Sequence, residues 1–329
     1  MTVISVRGLT MTYRAPVRPP GLRAAFASLL HREYREIEAV RDISFDLAPG
    51  EVVGFIGPNG AGKTTTMKIL SGILHPTAGQ VRVLDHVPWQ RRRQFLKQIA
   101  LIRGSQPIGG PVELTVLDSL RYQKLLYEVS DDCFRDNLSE LAGLLELEPL
   151  LTRQVRALSL GERMRAGLAL SLVYRPRALF MDEPTLGLDV TAATAVRGFI
   201  AAYAARTGAT VLLTSHYMAD VESLCRRIVL IDKGTLRYDG DLGALSARLS
   251  PYKLVRISAA GTAGRSWDEI AGVGDVVESG EGRVALRVRR DDVPAVTARL
   301  LARLPVLDLS VEDPPLESVI DQVYREGVA

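Results

Sequence analysis

Apolar and polar positions along this chain change period several times, and each change marks an element. Glu51-Val-Val-Gly-Phe-Ile56 is a short apolar run suited to a strand buried on both faces. Residues 64–74 then place Met67, Leu70, Ile73 and Leu74 at helical spacing. Ala178-Leu-Phe-Met181 and Thr210-Val-Leu-Leu213 repeat the strand pattern, residues 98–102 add another strand, and residues 163–174 read as a helix. Near the start, residues 1–13 and 38–47 read as strands of an antiparallel lobe, the second with Val40, Ile43, Phe45 and Leu47 as apolar members. Residues 113–148 alternate apolar and charged positions at helical spacing, including Leu117, Leu120, Leu125 and Leu126.

The pattern changes again after Asp232-Lys-Gly-Thr235, and a domain boundary is expected near Ser250-Pro251. Beyond it Val284, Leu286 and Val288 lie among Arg283, Arg287 and Arg289, as in a strand, and Val296, Leu300, Leu301 and Leu304 suit a helix. Leu307, Leu309 and Val311 alternate with Asp308, Ser310 and Glu312, and residues 316–324 close the chain as a helix. This tail is expected to be a compact α+β module spanning 251–329. It either regulates or dimerises the protein, or merely covers apolar surface.

Between strand and helix lies Gly57-Pro58-Asn59-Gly60-Ala61-Gly62-Lys63-Thr64-Thr65, the pattern of a phosphate loop. Its glycines are expected to take left-handed turns and bring backbone N–H groups to the phosphates at a helix N-terminus. Lys63 is then placed against the β- and γ-phosphates, and the Thr64 hydroxyl against Mg²⁺. The strand over 178–181 ends in Asp182 and Glu183, two adjacent carboxylates that would repel without a cation nearby. Alone, they would serve equally as a solvated acidic turn before Pro184. Beside a phosphate loop, Asp182 is expected to hold Mg²⁺ and Glu183 to polarise the attacking water as a general base.

Leu158-Ser159-Leu160-Gly161-Glu162, Leu186-Gly-Leu-Asp189 and Thr214-Ser-His216 complete a set that resembles the ATP-binding cassette family. The first resembles the family's signature, with Leu160 in place of the usual glycine and Glu162 in place of the usual glutamine. By this resemblance Ser159 and Gly161 cap the γ-phosphate of ATP held by a second subunit, and Asp189 lies on the loop that crosses the dimer interface. His216 matches the switch histidine that contacts the γ-phosphate, and Tyr13 the aromatic that stacks on adenine; a strand-end tyrosine is the plainer reading. The glutamine that helps hold Mg²⁺ is matched by Gln106, or the register places Ser105 there. The implied fold is an α/β cassette with a RecA-like core, an antiparallel β lobe and a helical subdomain over about 107–175, together spanning 1–250.

The resemblance implies an ATPase subunit of an exporter, working as a homodimer on separate transmembrane chains at the inner face of the cell membrane. Other readings are a soluble cassette switch, or a scaffold left almost inactive by its glutamine loop. Composition agrees with a soluble cytoplasmic chain: there is no apolar run of about 18 residues or more and no secretory signal. Cys133 and Cys225 have no metal-ligand spacing, which suits a reducing compartment. A net charge of only +3 gives no reason to expect nucleic acid. An insertion over 14–36 opens Pro-rich and basic, then sets Leu22, Phe26, Leu29 and Leu30 opposite Arg23, His31 and Arg32. Such a helix would lie on a membrane or membrane partner, or fold back on its own domain.

Overall fold

The computed structural model describes residues 2–16, 34–105, 108, 111–249, 251–260, 274–280 and 282–326. The chain divides into two compact units, Met1–Gly240 and Asp241–Ala329. In the first, β1 (Ile4–Pro16) and β2 (Tyr34–Leu47) form a long antiparallel hairpin paired from Ile4↔Leu47 to Pro16↔Tyr34. The chain continues through β3 (Val52–Ile56), α1 (Lys63–Leu70) and β4 (Ala78–Val83), which returns to pair with β1 in the order β2-β1-β4.

Both ends of the expected insertion 14–36 belong to the hairpin, which reaches Pro16 and Tyr34. β2 is an edge strand whose residues 34–38 are exposed, so nothing forces an apolar alternation there. The helix expected around Leu22, Phe26, Leu29 and Leu30 lies outside the described residues.

Next come α2 (Arg93–Leu96), β5 (Ile99–Arg103), α3 (Val116–Tyr127), α4 (Asp131–Leu145) and α5 (Leu160–Leu172). The unit closes with β6 (Ala178–Asp182), α6 (Val190–Thr207), β7 (Thr210–Thr214), α7 (Met218–Leu224), β8 (Arg227–Asp232) and β9 (Thr235–Asp241). Six strands form one sheet in the order β5-β6-β7-β3-β8-β9, with parallel pairing from β5 through β8. β6 and β7 are apolar almost throughout because covered parallel strands have no solvent face. Lys233 and Gly234, both at positive φ, make the two-residue turn into β9.

One core joins this sheet to the three-stranded lobe: Ile4, Val6, Phe45, Phe55, Leu70, Val83, Phe180 and Leu212 are all buried within it. Fully burying each such side chain stabilises the fold by about 1.5–3 kcal/mol. The helices α3 to α5 contribute Leu120, Leu141, Leu145, Met164 and Leu168 to the interior. Of the four leucines singled out between 113 and 148, Leu120 is buried and Leu117 half-buried, whereas Leu125 and Leu126 are 73% and 54% exposed.

The second unit contains α8 (Leu242–Leu249), β10 (Tyr252–Ala259), β11 (Asp275–Gly280), β12 (Arg283–Arg289), α9 (Val293–Arg303), β13 (Val306–Glu312) and α10 (Leu316–Glu326). Its antiparallel sheet runs β11-β12-β10-β13. Val255, Ile257, Val284, Leu286 and Val288 pack against Val296 and Leu300 of α9. The unit starts at Asp241, ahead of Ser250-Pro251, because α8 packs against α10. A register shift opposite Ser258 and Ala259 sends Val306 toward the core and leaves Leu307 72% exposed, against the simple alternation of 307–311.

Candidate active site

The loop from β3 to α1 is shaped by backbone contacts that leave no room for side chains. A Cβ on Gly57 would stand 2.2 Å from the Ile231 carbonyl oxygen, and one on Gly62 would stand 2.4 Å from that of Ala39. Gly60 and Gly62 have φ of +81° and +106°, as left-handed turns require, while Gly57 does not. At position 57 close approach, rather than dihedral angle, is the reason for glycine. Gly62 is the N-cap of α1; it offers no side-chain cap, and the first turn contains no acid. The helix N-terminus and its partial positive charge therefore remain available to an anion.

Lys63, 6% exposed, donates from Nζ to the carbonyls of Gly57 at 2.6 Å and Pro58 at 3.1 Å. Burial pulls its ammonium below the usual lysine value, and the Glu183 and Asp182 carboxylates partly oppose that shift. The two acids and the loop are thus electrostatically one site.

Parallel pairing puts Asp182 of β6 directly beside Thr214 of β7. The Thr214 hydroxyl donates to Asp182 Oδ1 at 2.7 Å, and the Thr64 hydroxyl donates to Oδ2 at 3.1 Å. Glu183, at φ +55°, turns away from the strand; its N–H is shared between the Thr214 carbonyl at 3.0 Å and hydroxyl at 3.1 Å. His216 Nε2 lies 2.7 Å from Glu183 Oε1. Thr214 thus joins Asp182 to Glu183, a link that sequence reasoning did not draw although it quoted Thr214 at the end of β7, just before Ser215-His216.

Gly104 was also missed. Its N–H donates to the Asp182 carbonyl at 2.9 Å, and a Cβ there would fall 1.8 Å from the Glu183 carbonyl oxygen. No local motif announces that contact. Ser105 follows in an exposed turn, and Gln106 lies outside the described residues.

Tyr13, 36% exposed on β1, has its hydroxyl 3.4 Å from that of Thr65, so the hairpin brings it to the phosphate loop. Pro58, Asn59 and Ala61 complete that loop, with Ala61 N–H donating to the Pro58 carbonyl at 3.1 Å. Ser159 and Gly161 open α5, and Asp189 caps α6 by accepting from Ala192 N–H at 2.8 Å. A Cβ on Gly161 would lie 3.4 Å from that of Ala192, so these two helix starts adjoin. Among the described residues, neither Ser159 nor Gly161 hydrogen-bonds to the phosphate loop of its own chain.

Glu162 makes a capping box with Ser159: its Oε2 accepts from Ser159 N–H at 2.7 Å, and the Ser159 hydroxyl oxygen accepts from Glu162 N–H at 3.3 Å. Arg153 donates to Glu162 Oε1 at 2.6 Å. The Ser159 N–H and this guanidinium hold the Glu162 carboxyl below its ordinary value.

Over residues 40–186 the chain matches the family model described as ABC transporter. It is 31% identical over 209 residues to the ABC transporter ATP-binding protein NatA of Bacillus subtilis, covering 64% of this chain and 84% of that protein. The chain belongs to the ABC transporter ATP-binding proteins. As an ABC ATPase it binds and hydrolyses ATP, and the six-stranded core with its lobe and helices is the family's cassette.

Residues 251–312 match the C-terminal domain of EvrA-like ABC transporters. The Nod factor export ATP-binding protein I of Paraburkholderia xenovorans is 35% identical over 66% of this ABC protein and 70% of its own length. A solved ATP-binding subunit of an ABC transporter superposes with a TM-score of 0.63 at 25% identity, covering 82% of this chain and 98% of that one. Among the described residues no helix is long and apolar enough to cross a membrane.

Proposed function

We propose that this ABC ATPase powers an exporter whose membrane-spanning subunits are separate chains, working as a homodimer at the inner face of the membrane. Likeness to a Nod factor export protein supports the direction of transport. The observation that carries the site assignment is the convergence of Lys63, Thr64, Asp182, Glu183 and His216 around the end of β6.

Gly57–Thr65 would cradle the phosphates, with Tyr13 against the adenine and Lys63 and the α1 N-terminus opposing negative charge. The Thr64 hydroxyl and Asp182 carboxylate offer the hard oxygen donors that Mg²⁺ takes, Gln106 being the third expected ligand. When bound, that ion neutralises charge on the β- and γ-phosphates.

Glu183 would accept a proton from the attacking water, while His216, 2.7 Å away, orients the carboxylate and reaches the γ-phosphate. Ser159, Gly161 and Asp189 would complete the site of the second copy. The second unit, from Asp241 onward, would stabilise or regulate that pair.

ATP turnover by the purified chain and by its complex with membrane subunits tests this reading, with Glu183→Gln as control. That variant is expected to bind ATP normally and lose about 100-fold or more in kcat. Turnover within twofold of wild type would remove Glu183 from the role of base.

A further inference from the structure

One buried carboxylate outside the expected site is tied to both halves of it. Asp220 on α7 is 0% exposed. Its Oδ2 accepts from the Thr185 hydroxyl at 2.5 Å and the Ser215 hydroxyl at 2.6 Å, and its Oδ1 accepts from Arg197 of α6 at 2.9 Å. Thr185 and Ser215 are each 2% exposed. Thr185 lies two residues after Glu183, and Ser215 immediately precedes His216. The two segments that carry the acid and the histidine therefore meet on a single oxygen atom.

We propose that Asp220 is a positioning residue whose charge fixes Glu183 and His216 in catalytic register. A carboxylate only accepts, so it can hold two hydroxyl donors on one oxygen and a guanidinium on the other. Because Ser215 donates to Asp220, its oxygen stays free to accept the Tyr217 N–H at 3.0 Å, which fixes the backbone on both sides of His216. On the other segment, Thr185 anchors the turn in which Leu186 N–H reaches the Glu183 carbonyl at 3.1 Å.

Glu183 needs such a brace because its φ of +55° is not one the backbone favours unaided. Misplacing a reacting group by about 1 Å can cost about 100-fold in rate. Burying a charge only to join two surface turns would be a poor source of stability, since an apolar contact serves as well. Its location between the acid and the histidine points to placement.

The inference rests on Glu183 and His216 acting as the catalytic pair. Asp220→Asn keeps the shape but sets an amide NH₂ against Arg197 or against the hydroxyls. In the full chain it is expected to lower kcat by about 10- to 100-fold while ATP affinity stays within about twofold. Thr185→Val and Ser215→Ala leave the Asp220–Arg197 pair intact and guard against misfolding; each is expected to lower kcat by about threefold with KM unchanged.

Placed on a His216→Ala background, Asp220→Asn should cost less than in wild type, because the share of its effect exerted through His216 is already gone. Losses that multiply fully there would overturn the inference, as would equal losses of turnover and ATP affinity. Turnover retained in Glu183→Gln overturns both this inference and the assignment of the base. Turnover lost in Glu183→Gln but retained in Asp220→Asn overturns this inference alone.

Discussion

Two helices of this ATPase begin in opposite ways, α1 at the phosphate loop and α5 at the signature. α1 starts from a glycine at φ +106° with no side-chain cap and no acid in its first turn. α5 starts from Ser159 in a complete capping box and has Glu162 in its first turn, held by Arg153. Each helix has the same backbone dipole, yet one end is left for a ligand and the other is largely satisfied by its own chain. A helix N-terminus is an anion site only where the sequence withholds its caps. At α5 the Ser159 backbone N–H and hydroxyl are both engaged by Glu162.

Thr65 occupies in α1 the third helical position that Glu162 occupies in α5. Thr65→Glu should therefore convert the open end into a self-capped one and weaken ATP binding by about 100-fold, the exchange of a charge-assisted site for a like-charge repulsion. Titration with a fluorescent nucleotide measures it, and affinity within threefold of wild type would break the contrast. Ser159→Ala is the smaller change: loss of the cap should cost about 1 kcal/mol in denaturant unfolding, with ATP affinity of the isolated chain unchanged. An equal fall in that affinity would mean that α5 serves the ATP of its own chain.

Glu162→Gln sharpens the contrast by pH. The Glu162 carboxyl is depressed below 4.5 by the Ser159 N–H and Arg153, so its stabilisation is complete above that value and lost as pH falls through the lower folded pKa. Glutamine can still accept from Ser159 but has no charge for Arg153. The wild type should melt higher than Glu162→Gln at pH 7, and the gap should close in acid below about 4.5. A gap that persists unchanged at pH 3 would show that the ion pair contributes nothing.

The parts of this site legible in the sequence are those fixed by short-range geometry. The phosphate loop announces itself because Gly57, Gly60 and Gly62 satisfy constraints within a single turn, and Lys63 and Thr64 follow at once. Asp182 and Glu183 end an apolar run, which places them at the C-terminal end of a buried strand without knowledge of any partner strand.

Thr185, Ser215 and Asp220 were not legible as a group, because neither hydroxyls nor a lone Asp on a short helix carry a pattern; their meaning comes from folding far-separated segments together. Gly104 was lost for the same reason: the carbonyl that excludes its side chain belongs to Glu183, far off in the sequence. Residues 34–38 of β2 and all of β11 escaped because they are exposed on both faces, leaving the chain free of the alternation that burial imposes.

Glu183 sits before Pro184 in a left-handed conformation, which proline's neighbour tolerates poorly and which costs an ordinary residue roughly 1–2 kcal/mol. Glycine would enter that conformation freely. On the proposed reading of Glu183 as the base, this position thus gives up thermal margin in exchange for turnover.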